Sequence, residues 1–170
     1  TDAVHEDLLG KRVLIRPCIR TQGWDTLENI WVASDVDGAF AQFIKIAANE
    51  VFAVDCDWTD AELGTIPCAY GTSENMIHRT RLCKGEHIVI PGASGGVGSA
   101  LVQLAKRRGA YVTAIAGRDK MDAVKALGAD AVISREDDPL EAIGEKSAHV
   151  VIDNVGGKHF DAMMQILRRG

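Results

Sequence analysis

The pattern of apolar and polar positions changes near residue 60. Beyond it, short apolar runs alternate with segments whose apolar residues recur at helical spacing. This alternation predicts strand-helix-strand units and hence a parallel sheet. The predicted strands are 86–91, Tyr111–Ala116, Ala131–Ser134 and 150–153. We therefore predict an α/β fold, a Rossmann doubly wound parallel sheet that is partial, because the sequence stops where a fifth strand is expected.

Helix ends are marked by residues with known capping preferences. Gly109 and Gly128 are predicted to end the first two helices of the second part, because glycine adopts the left-handed conformation that a helix C-terminus requires. Asp119 is predicted to cap the start of the second helix, and Asp138 that of a third, with Pro139 in its first turn. The third helix is expected to reach about Lys146.

The first part of the chain is predicted to be rich in β-strands. Its apolar runs are short and separated by turn residues, which is typical of strands. We predict strands at 12–16, 39–47 and 51–54 and a turn at 35–38. The change of pattern places a domain boundary between residues 60 and 61.

Composition excludes several classes of protein. With 170 residues, of which 46% are hydrophobic, the chain can bury a core. A net charge of -5 disfavours a nucleic-acid-binding surface, and no apolar run approaches the roughly 20 residues that cross a bilayer. We expect a cytoplasmic location. The four widely spaced cysteines disfavour a disulfide framework and a zinc finger.

A glycine-rich loop follows the strand at 86–91 and opens a helix. Glycines in this context let the backbone approach a pyrophosphate, which then faces the helix N-terminus. The residues expected to bind the cofactor are Ala93, Ser94, Gly95, Gly96, Val97 and Gly98. A tight strand-to-helix turn also needs glycine without any ligand, but the surrounding strand-helix-strand unit favours a dinucleotide.

The end of the second strand of this part predicts which dinucleotide binds. NAD-specific folds usually place a carboxylate there, on the ribose 2′-hydroxyl. Here Gly117 leaves room for a 2′-phosphate, and Arg118 and Lys120 offer it cations, so NADP(H) fits better. Asp119 is the confounding residue, because a shift of register would bring it to the ribose. Alternatively, Arg118 is a solvated surface charge.

The turn after the fourth strand is the second candidate binding segment. In doubly wound sheets the ligand lies where the strand order reverses, between the first and fourth strands. Small residues in the segment 153–157 let a nicotinamide ribose come close to the backbone, and Asn154, Val155 and Gly156 are expected to bind the cofactor. A plain strand-to-helix turn is the alternative.

Segments 37–42, 66–72, 92–98, 127–130 and 153–157 together resemble the medium-chain dehydrogenase/reductase superfamily, closest to its quinone oxidoreductase and zinc-type alcohol dehydrogenase-like branch. The resemblance implies an enzyme with a GroES-like catalytic domain and a Rossmann domain. Residues 1–60 would be the C-terminal part of the first and 61–170 an incomplete NADP-binding second, with further chain before Thr1 and after Gly170. It also implies that Thr72 lies beside the nicotinamide, that the substrate is a small molecule, and that the full-length protein is a homo-oligomer, such as a dimer.

The same resemblance raises the question of zinc. Cys68 matches the position at which zinc-dependent relatives supply a catalytic ligand, but such a site typically takes three protein ligands. The segment 18–35, where relatives carry a four-cysteine lobe, holds one cysteine, which excludes a structural zinc. We expect no metal and a buried, apolar Cys68 thiol, with a zinc-dependent alcohol dehydrogenase as the alternative.

Two other classes of function compete with the oxidoreductase. The loop also matches the G-x-S-x-G pattern of serine hydrolases, with Ser94 as nucleophile, but Asp153 and His159 lie too close in sequence to complete the usual order. A non-catalytic NADPH-binding sensor is the other alternative, because Rossmann folds bind cofactors without always performing chemistry. The favoured interpretation is an NADP(H)-dependent oxidoreductase acting on a quinone, enone, aldehyde or alcohol, although the fragment alone is expected to be inactive. The sequence identifies no catalytic residue.

Overall fold

The computed structural model describes residues 7–23 and 28–169. The chain divides into two compact units, Thr1–Cys68 and Ala69–Gly170. Among the described residues, no helix is long and apolar enough to cross a membrane.

The first unit contains two small antiparallel sheets. Strand β1 (Val13–Ile15) pairs with β4 (Val51–Ala53), and β2 (Cys18–Arg20) pairs with β3 (Asn29–Trp31). Helix α1 (Asp60–Gly64) follows, and its N-terminus carries a capping box in which the Thr59 and Glu62 side chains each accept the other's backbone N–H.

The predicted strand at 39–47 is wrong. These residues form bends and irregular backbone, and Phe40 and Phe43 are exposed. A strand exists only where another strand supplies hydrogen-bond partners, and none of the described residues does so here. The turn lies earlier than predicted, at 33–35, where the Ala33 amide donates to the Val36 carbonyl. The pattern does not predict strands β2 and β3, because they lack the continuous apolar run that β1 and β4 have.

The second unit is built on one parallel sheet of four strands. Its spatial order is β7 (Ala131–Ser134), β6 (Tyr111–Ala116), β5 (His87–Pro91) and β8 (Val150–Val151). The first strand in sequence, β5, therefore lies between β6 and β8, and the strand order reverses at that point. This confirms the predicted Rossmann-type arrangement, with a shorter fourth strand than expected.

Helices cover both faces of this sheet. Ile88 and Ile90 of β5 point to the face covered by α2 (Ile66–Thr80), α3 (Gly96–Arg107) and α4 (Met121–Ala126). Val89 points to the opposite face, where α5 (Pro139–Ile143) and α6 (Phe160–Ile166) pack. Successive side chains of a strand point to opposite faces, so this continuously apolar strand is buried on both sides.

Most predicted helix ends are correct. Gly109 and Gly128 have φ values of 78° and 107° just beyond α3 and α4, and Asp138 accepts the amides of Leu140 and Glu141 at the start of α5. Helix α5 ends at Ile143 rather than near Lys146, because Gly144 takes a φ of 92°.

The predicted Asp119 cap is wrong. A short 3-10 turn, Arg118–Lys120, precedes α4, whose N-cap residue is Lys120, and no side chain caps the helix. The extra turn places Asp119 inside the connection, before the position from which a side chain could reach the first amides of α4.

Candidate functional site

The glycine-rich loop makes one tight turn between β5 and α3. Gly92 has a φ of +66°, which glycine adopts without strain. The Gly95 amide donates to the Gly92 carbonyl at 3.0 Å, and the Ala93 amide donates to Ile115 of the neighbouring strand at the same distance. The first bond closes the turn on itself, and the second fixes Ala93 to the sheet.

Gly98 lets helix α3 start directly against this turn. A Cβ atom at position 98 would lie 2.3 Å from the Gly92 carbonyl oxygen and 2.7 Å from the Ala93 Cα atom. Both neighbours are backbone atoms, so they cannot rotate away. Glycine is therefore required for packing at this position, whatever the loop binds.

The start of α3 leaves donors without acceptors. The first amides of any helix have no partner inside it. Among the described residues, no acceptor is bonded to the backbone amides of Ser94, Gly96 and Val97, and Gly95 caps the helix without a side chain. Ser94, Gly95 and Gly96 are exposed. These amides and the positive end of the helix dipole suit an anion.

Ser73, which the sequence did not single out, anchors this part of the loop to α2. Its side chain is fully buried, and its Oγ lies 2.7 Å from the Ala69 carbonyl oxygen and 2.9 Å from that of Val97. Thr72 precedes it in the helix and is half-buried. A buried hydroxyl inside a helix gives almost no signal in a sequence, because its role depends on a partner 24 residues away.

A cavity of about 180 Å³ opens beside the loop at the carboxyl ends of the strands. The loop contributes Gly92 and Ser94, the end of β6 contributes Gly117, and the turn after β8 contributes Val155 and Gly156. Four of these five residues, Ser94, Gly117, Val155 and Gly156, are predicted from the sequence to bind the cofactor, and the structure brings those four together. The remaining residues predicted to bind the cofactor do not line the cavity. Ala93 is buried, and the others are Gly95, Gly96, Val97, Gly98, Arg118, Lys120, Thr72 and Asn154.

The end of β6 carries a cluster of opposite charges. Arg118 is 71% exposed, and its guanidinium lies 3.5 Å from Glu136 and 3.4 Å from Asp137. Lys120 is also exposed. Arg135, which the sequence did not suggest, lines the cavity beside Gly117. It follows β7 directly, and only the pairing of β6 with β7 brings it to this place.

The turn after β8 is shaped by Asp153. One carboxylate oxygen accepts the amides of Val155 and Gly156 at 2.8 and 2.9 Å, which is an Asx-type turn. This turn holds Val155, 65% exposed, at the wall of the cavity. Asn154 points elsewhere, with its Nδ2 atom 3.9 Å from the Met76 sulfur.

Ser94, Asp153 and His159 all line the cavity, so the serine-hydrolase alternative can be checked by geometry. A triad needs hydrogen bonds from nucleophile to base and from base to acid. The buried Nε2 atom of His159 has no partner among the described residues, and the bonded Asp153 oxygen accepts backbone amides. The three side chains therefore form no triad in this arrangement.

Cys68 is exposed, so the expectation of a buried thiol is wrong. It lies in the first turn of α2, whereas the buried positions of that helix are Ser73 and Ile77. At 100° per residue, Cys68 is on the opposite side of the helix from Ile77. Within 7–23 and 28–169, no three His, Cys, Asp or Glu residues are placed to hold a metal ion. The described donors do not fit zinc.

Comparisons with known proteins agree with this fold. A family described as zinc-binding dehydrogenase matches residues 96–170. The chain is 30% identical over 151 residues to the mitochondrial NAD(P)H oxidoreductase RTN4IP1 of Bos taurus, covering 84% of this chain and 38% of that protein. A protein of Sinorhizobium meliloti 1021, described provisionally as an alcohol dehydrogenase, superposes with a TM-score of 0.87 at 38% identity, over 98% of this chain and 48% of its own.

A third relative is the quinone oxidoreductase of Thermus thermophilus, whose structure has also been solved in complex with NADPH. It superposes with a TM-score of 0.63 at 25% identity, over 70% of this chain and 40% of its own. The chain belongs to the medium-chain dehydrogenase/reductase superfamily. It spans less than half the length of each of these relatives.

Proposed function

We propose that the protein is an NADP(H)-dependent oxidoreductase that transfers hydride between the nicotinamide and a quinone, enone, aldehyde or alcohol. The observation that carries this proposal is the set of backbone amides at Ser94, Gly96 and Val97. They lack acceptors among the described residues and lie in a loop that contributes to the cavity at the strand ends. A diphosphate supplies the acceptors that these amides need.

Each part of the dinucleotide has a proposed place. The loop from Ala93 to Gly98 would hold the diphosphate, and the end of β6 the adenosine ribose with its 2′-phosphate. The residues at the ribose are Gly117, Arg118 and Lys120. Asn154, Val155, Gly156 and Thr72 would lie toward the nicotinamide. When bound, the cofactor supplies the hydride chemistry, and the residues of this chain orient it and shape its surroundings.

NADP(H) rather than NAD(H) is proposed from the end of β6. Gly117 is buried and has no side chain of its own that could meet a ribose 2′-hydroxyl, Arg135 lines the cavity beside it, and the exposed Arg118 and Lys120 follow it in sequence. Arg118→Ala is expected to weaken NADPH far more than NADH. Equal losses for the two cofactors would remove Arg118 from the site.

A substitution of Gly95 tests the loop without unfolding it. Gly95 is the N-cap of α3 with a φ of -81°, and a Cβ atom there would lie 3.4 Å from its nearest neighbour. Aspartate is a favoured N-cap, so Gly95→Asp should stabilise the helix. Its carboxylate would also accept the amides that the diphosphate needs and repel that diphosphate. We expect NADPH binding to be lost with an unchanged or raised melting temperature.

Gly95→Asn is the matched control, because it has the same shape without the charge. It should weaken binding less than Gly95→Asp. Calorimetric titration of both variants and the unsubstituted protein with NADPH measures this difference. Normal NADPH affinity in Gly95→Asp would contradict the proposal.

Further measurements separate the alternatives. NADPH oxidation by quinones, enones and aldehydes distinguishes an enzyme from a sensor that only binds the cofactor. Metal analysis of the protein tests the zinc-dependent alternative with Cys68, which stoichiometric zinc would favour. We also propose that the first unit is part of a GroES-like domain, and that the full-length protein is a cytoplasmic homodimer acting on a small molecule. Sedimentation tests the assembly.

A further inference from the structure

Arg135 stands beside the point at which β6 ends. It lines the cavity together with Gly117 and Gly92. A Cβ atom built on Gly117 would lie 2.9 Å from the Asp119 Oδ1 atom, 3.7 Å from the central carbon of the Arg135 guanidinium and 3.8 Å from its Nε atom. The Arg135 guanidinium and the Asp119 carboxylate therefore both border the place of the missing Gly117 side chain.

Arg135 and Arg118 share one carboxylate. The Arg135 Nε atom lies 3.2 Å from one Glu136 oxygen, and the Arg118 Nε atom lies 3.5 Å from the other. Glu136 thus bridges two guanidinium groups that come from different strand ends. A phosphate group uses the same guanidinium donors as a carboxylate does.

Glu136 is held in this bridging position by Ser134, the buried last residue of β7. The Ser134 hydroxyl donates to a Glu136 oxygen, and the Glu136 amide is 3.2 Å from the same hydroxyl. The hydrogen bonds from Ser134 and Arg135 lower the pKa of Glu136. Glu136 is therefore ionised at neutral pH and acts as a fixed anion between the two arginines.

The two arginines are not equally neutralised. Arg118 contacts Glu136 and also Asp137, whose Oδ1 atom lies 3.4 Å from it. Arg135 contacts only Glu136 among the carboxylates in the part of the chain that the structure describes. Fewer carboxylates neutralise Arg135 than Arg118, so its positive charge attracts an anionic ligand more strongly. Of the two arginines, Arg135 is the one that lines the cavity.

We propose that Arg135, with Arg118, receives the ribose 2′-phosphate, and that Glu136 competes with this phosphate for the two guanidinium groups and so sets the strength of the preference for NADPH over NADH. This inference rests on the proposed function. Binding of NADPH exchanges one anion for another between the arginines, whereas NADH leaves the Glu136 bridge in place. The preference for NADPH then depends on the competition between the Glu136 carboxylate and the 2′-phosphate, and not on the two arginines alone.

The experiment is a calorimetric titration of the protein and its variants with NADPH and NADH. Arg135→Gln should weaken NADPH about tenfold or more, the factor that one charge-assisted hydrogen bond of ordinary strength contributes. Arg118→Gln should have a smaller effect. Glu136→Gln keeps the hydrogen bond with Ser134 but removes the charge, so it should tighten NADPH severalfold. Each variant should leave NADH affinity within about twofold of its starting value.

Matched controls remove the same charges elsewhere. Arg107→Gln acts at the exposed last turn of α3, and Glu145→Gln acts on the exposed segment after α5. Neither should change the ratio of NADPH to NADH affinity. Arg135→Lys restores the charge without the fork-shaped donor pair, so it should recover part of the lost affinity. Melting temperatures should stay close to that of the unsubstituted protein, since Arg135 is 73% exposed and Glu136 47%.

The outcomes separate this inference from the proposed function. If Arg135→Gln weakens NADPH and NADH equally, or if Glu136→Gln does not tighten NADPH, the inference is overturned while the oxidoreductase proposal stands. If the unsubstituted protein binds neither nucleotide, the proposed function fails and the inference fails with it. A selective loss in Arg135→Gln together with a selective gain in Glu136→Gln supports both.

Discussion

The two units of the chain bury apolar surface to very different extents. In the second unit, strands β5 and β6 are covered on both faces, and residues such as Ile88, Ile90 and Leu101 are inaccessible to solvent. In the described part of the first unit, Leu63 is the only buried apolar side chain. Several aromatic residues there are largely exposed, including Phe40, Phe43 and Trp31.

This difference teaches where a sequence pattern can be trusted. In a βαβ unit the helix that follows each strand packs on that strand and buries its apolar side chains. The short strands of the first unit are not each followed by a helix that packs on them. Their apolar residues need packing partners elsewhere in the chain, and the local hydrophobic pattern does not identify these partners. The segment 39–47 shows the consequence, since it has a strand-like sequence and no strand.

The largest expected contrast concerns two glycines in helices of the second unit. Gly98→Ala forces a Cβ atom to within 2.3 Å of a backbone oxygen. We expect it to cost about 4 kcal/mol or more of the free energy of unfolding, or to prevent folding of this unit. Gly71→Ala, in α2, meets no atom within 4 Å and should stabilise by up to about 1 kcal/mol.

Urea unfolding followed by circular dichroism measures both glycine variants. Similar stabilities for the two would show that the contact between the turn and α3 is looser than the distances indicate. The unit would then lack the tight strand-to-helix packing that distinguishes it from the first unit.

A second contrast compares the units directly. Ile90→Ala removes a fully buried side chain from β5 and should cost about 3 kcal/mol, through lost burial and the cavity it leaves. Phe43→Ala removes a larger side chain that is 89% exposed in the first unit and should change stability by less than about 0.5 kcal/mol. A cost for Phe43→Ala comparable to that of Ile90→Ala would mean that the segment 39–47 is covered in solution.

The third contrast concerns Asp130, which connects α3 to β6, and its expected cost is smaller than those of Gly98→Ala and Ile90→Ala. Its oxygens lie 2.8 Å from the Lys106 ammonium, and one accepts the Val112 amide at 2.7 Å. Burial raises the pKa of Asp130, but the hydrogen bonds from Lys106 and Val112 outweigh it, so the net pKa is lowered. A lowered pKa in the folded state stabilises the protein above the unfolded pKa, near 4, and this contribution is lost as the pH falls through the folded value.

Asp130→Asn should therefore cost about 1 to 2 kcal/mol at pH 7 and progressively less below pH 4. Chemical unfolding at a series of pH values checks this trend. The pH dependence of Asp130→Asn is to be compared with that of Glu62→Gln in the first unit. The pKa of Glu62 is also lowered, by hydrogen bonds from the Thr59 amide and hydroxyl at a fully exposed helix end. A cost for Asp130→Asn that does not change with pH would exclude the charged network as its cause.

The sequence by itself determined the parts of this protein whose causes are local. The glycine turn before α3, the glycines after α3 and α4 and the Asp138 cap follow from backbone conformations and amides within a few residues. The parallel direction of the strands also follows from the sequence, because a helix connects each strand to the next.

Only the tertiary structure decided which side chains meet. Arg135 reaches Gly117 because β7 pairs with β6, and Ser73 reaches the Val97 carbonyl because α2 lies beside the start of α3. Asp119 and Cys68 were misassigned because capping and burial depend on where a helix begins and which side it turns to the core. Such contacts join residues far apart in the chain, and no local pattern of hydrophobicity encodes them.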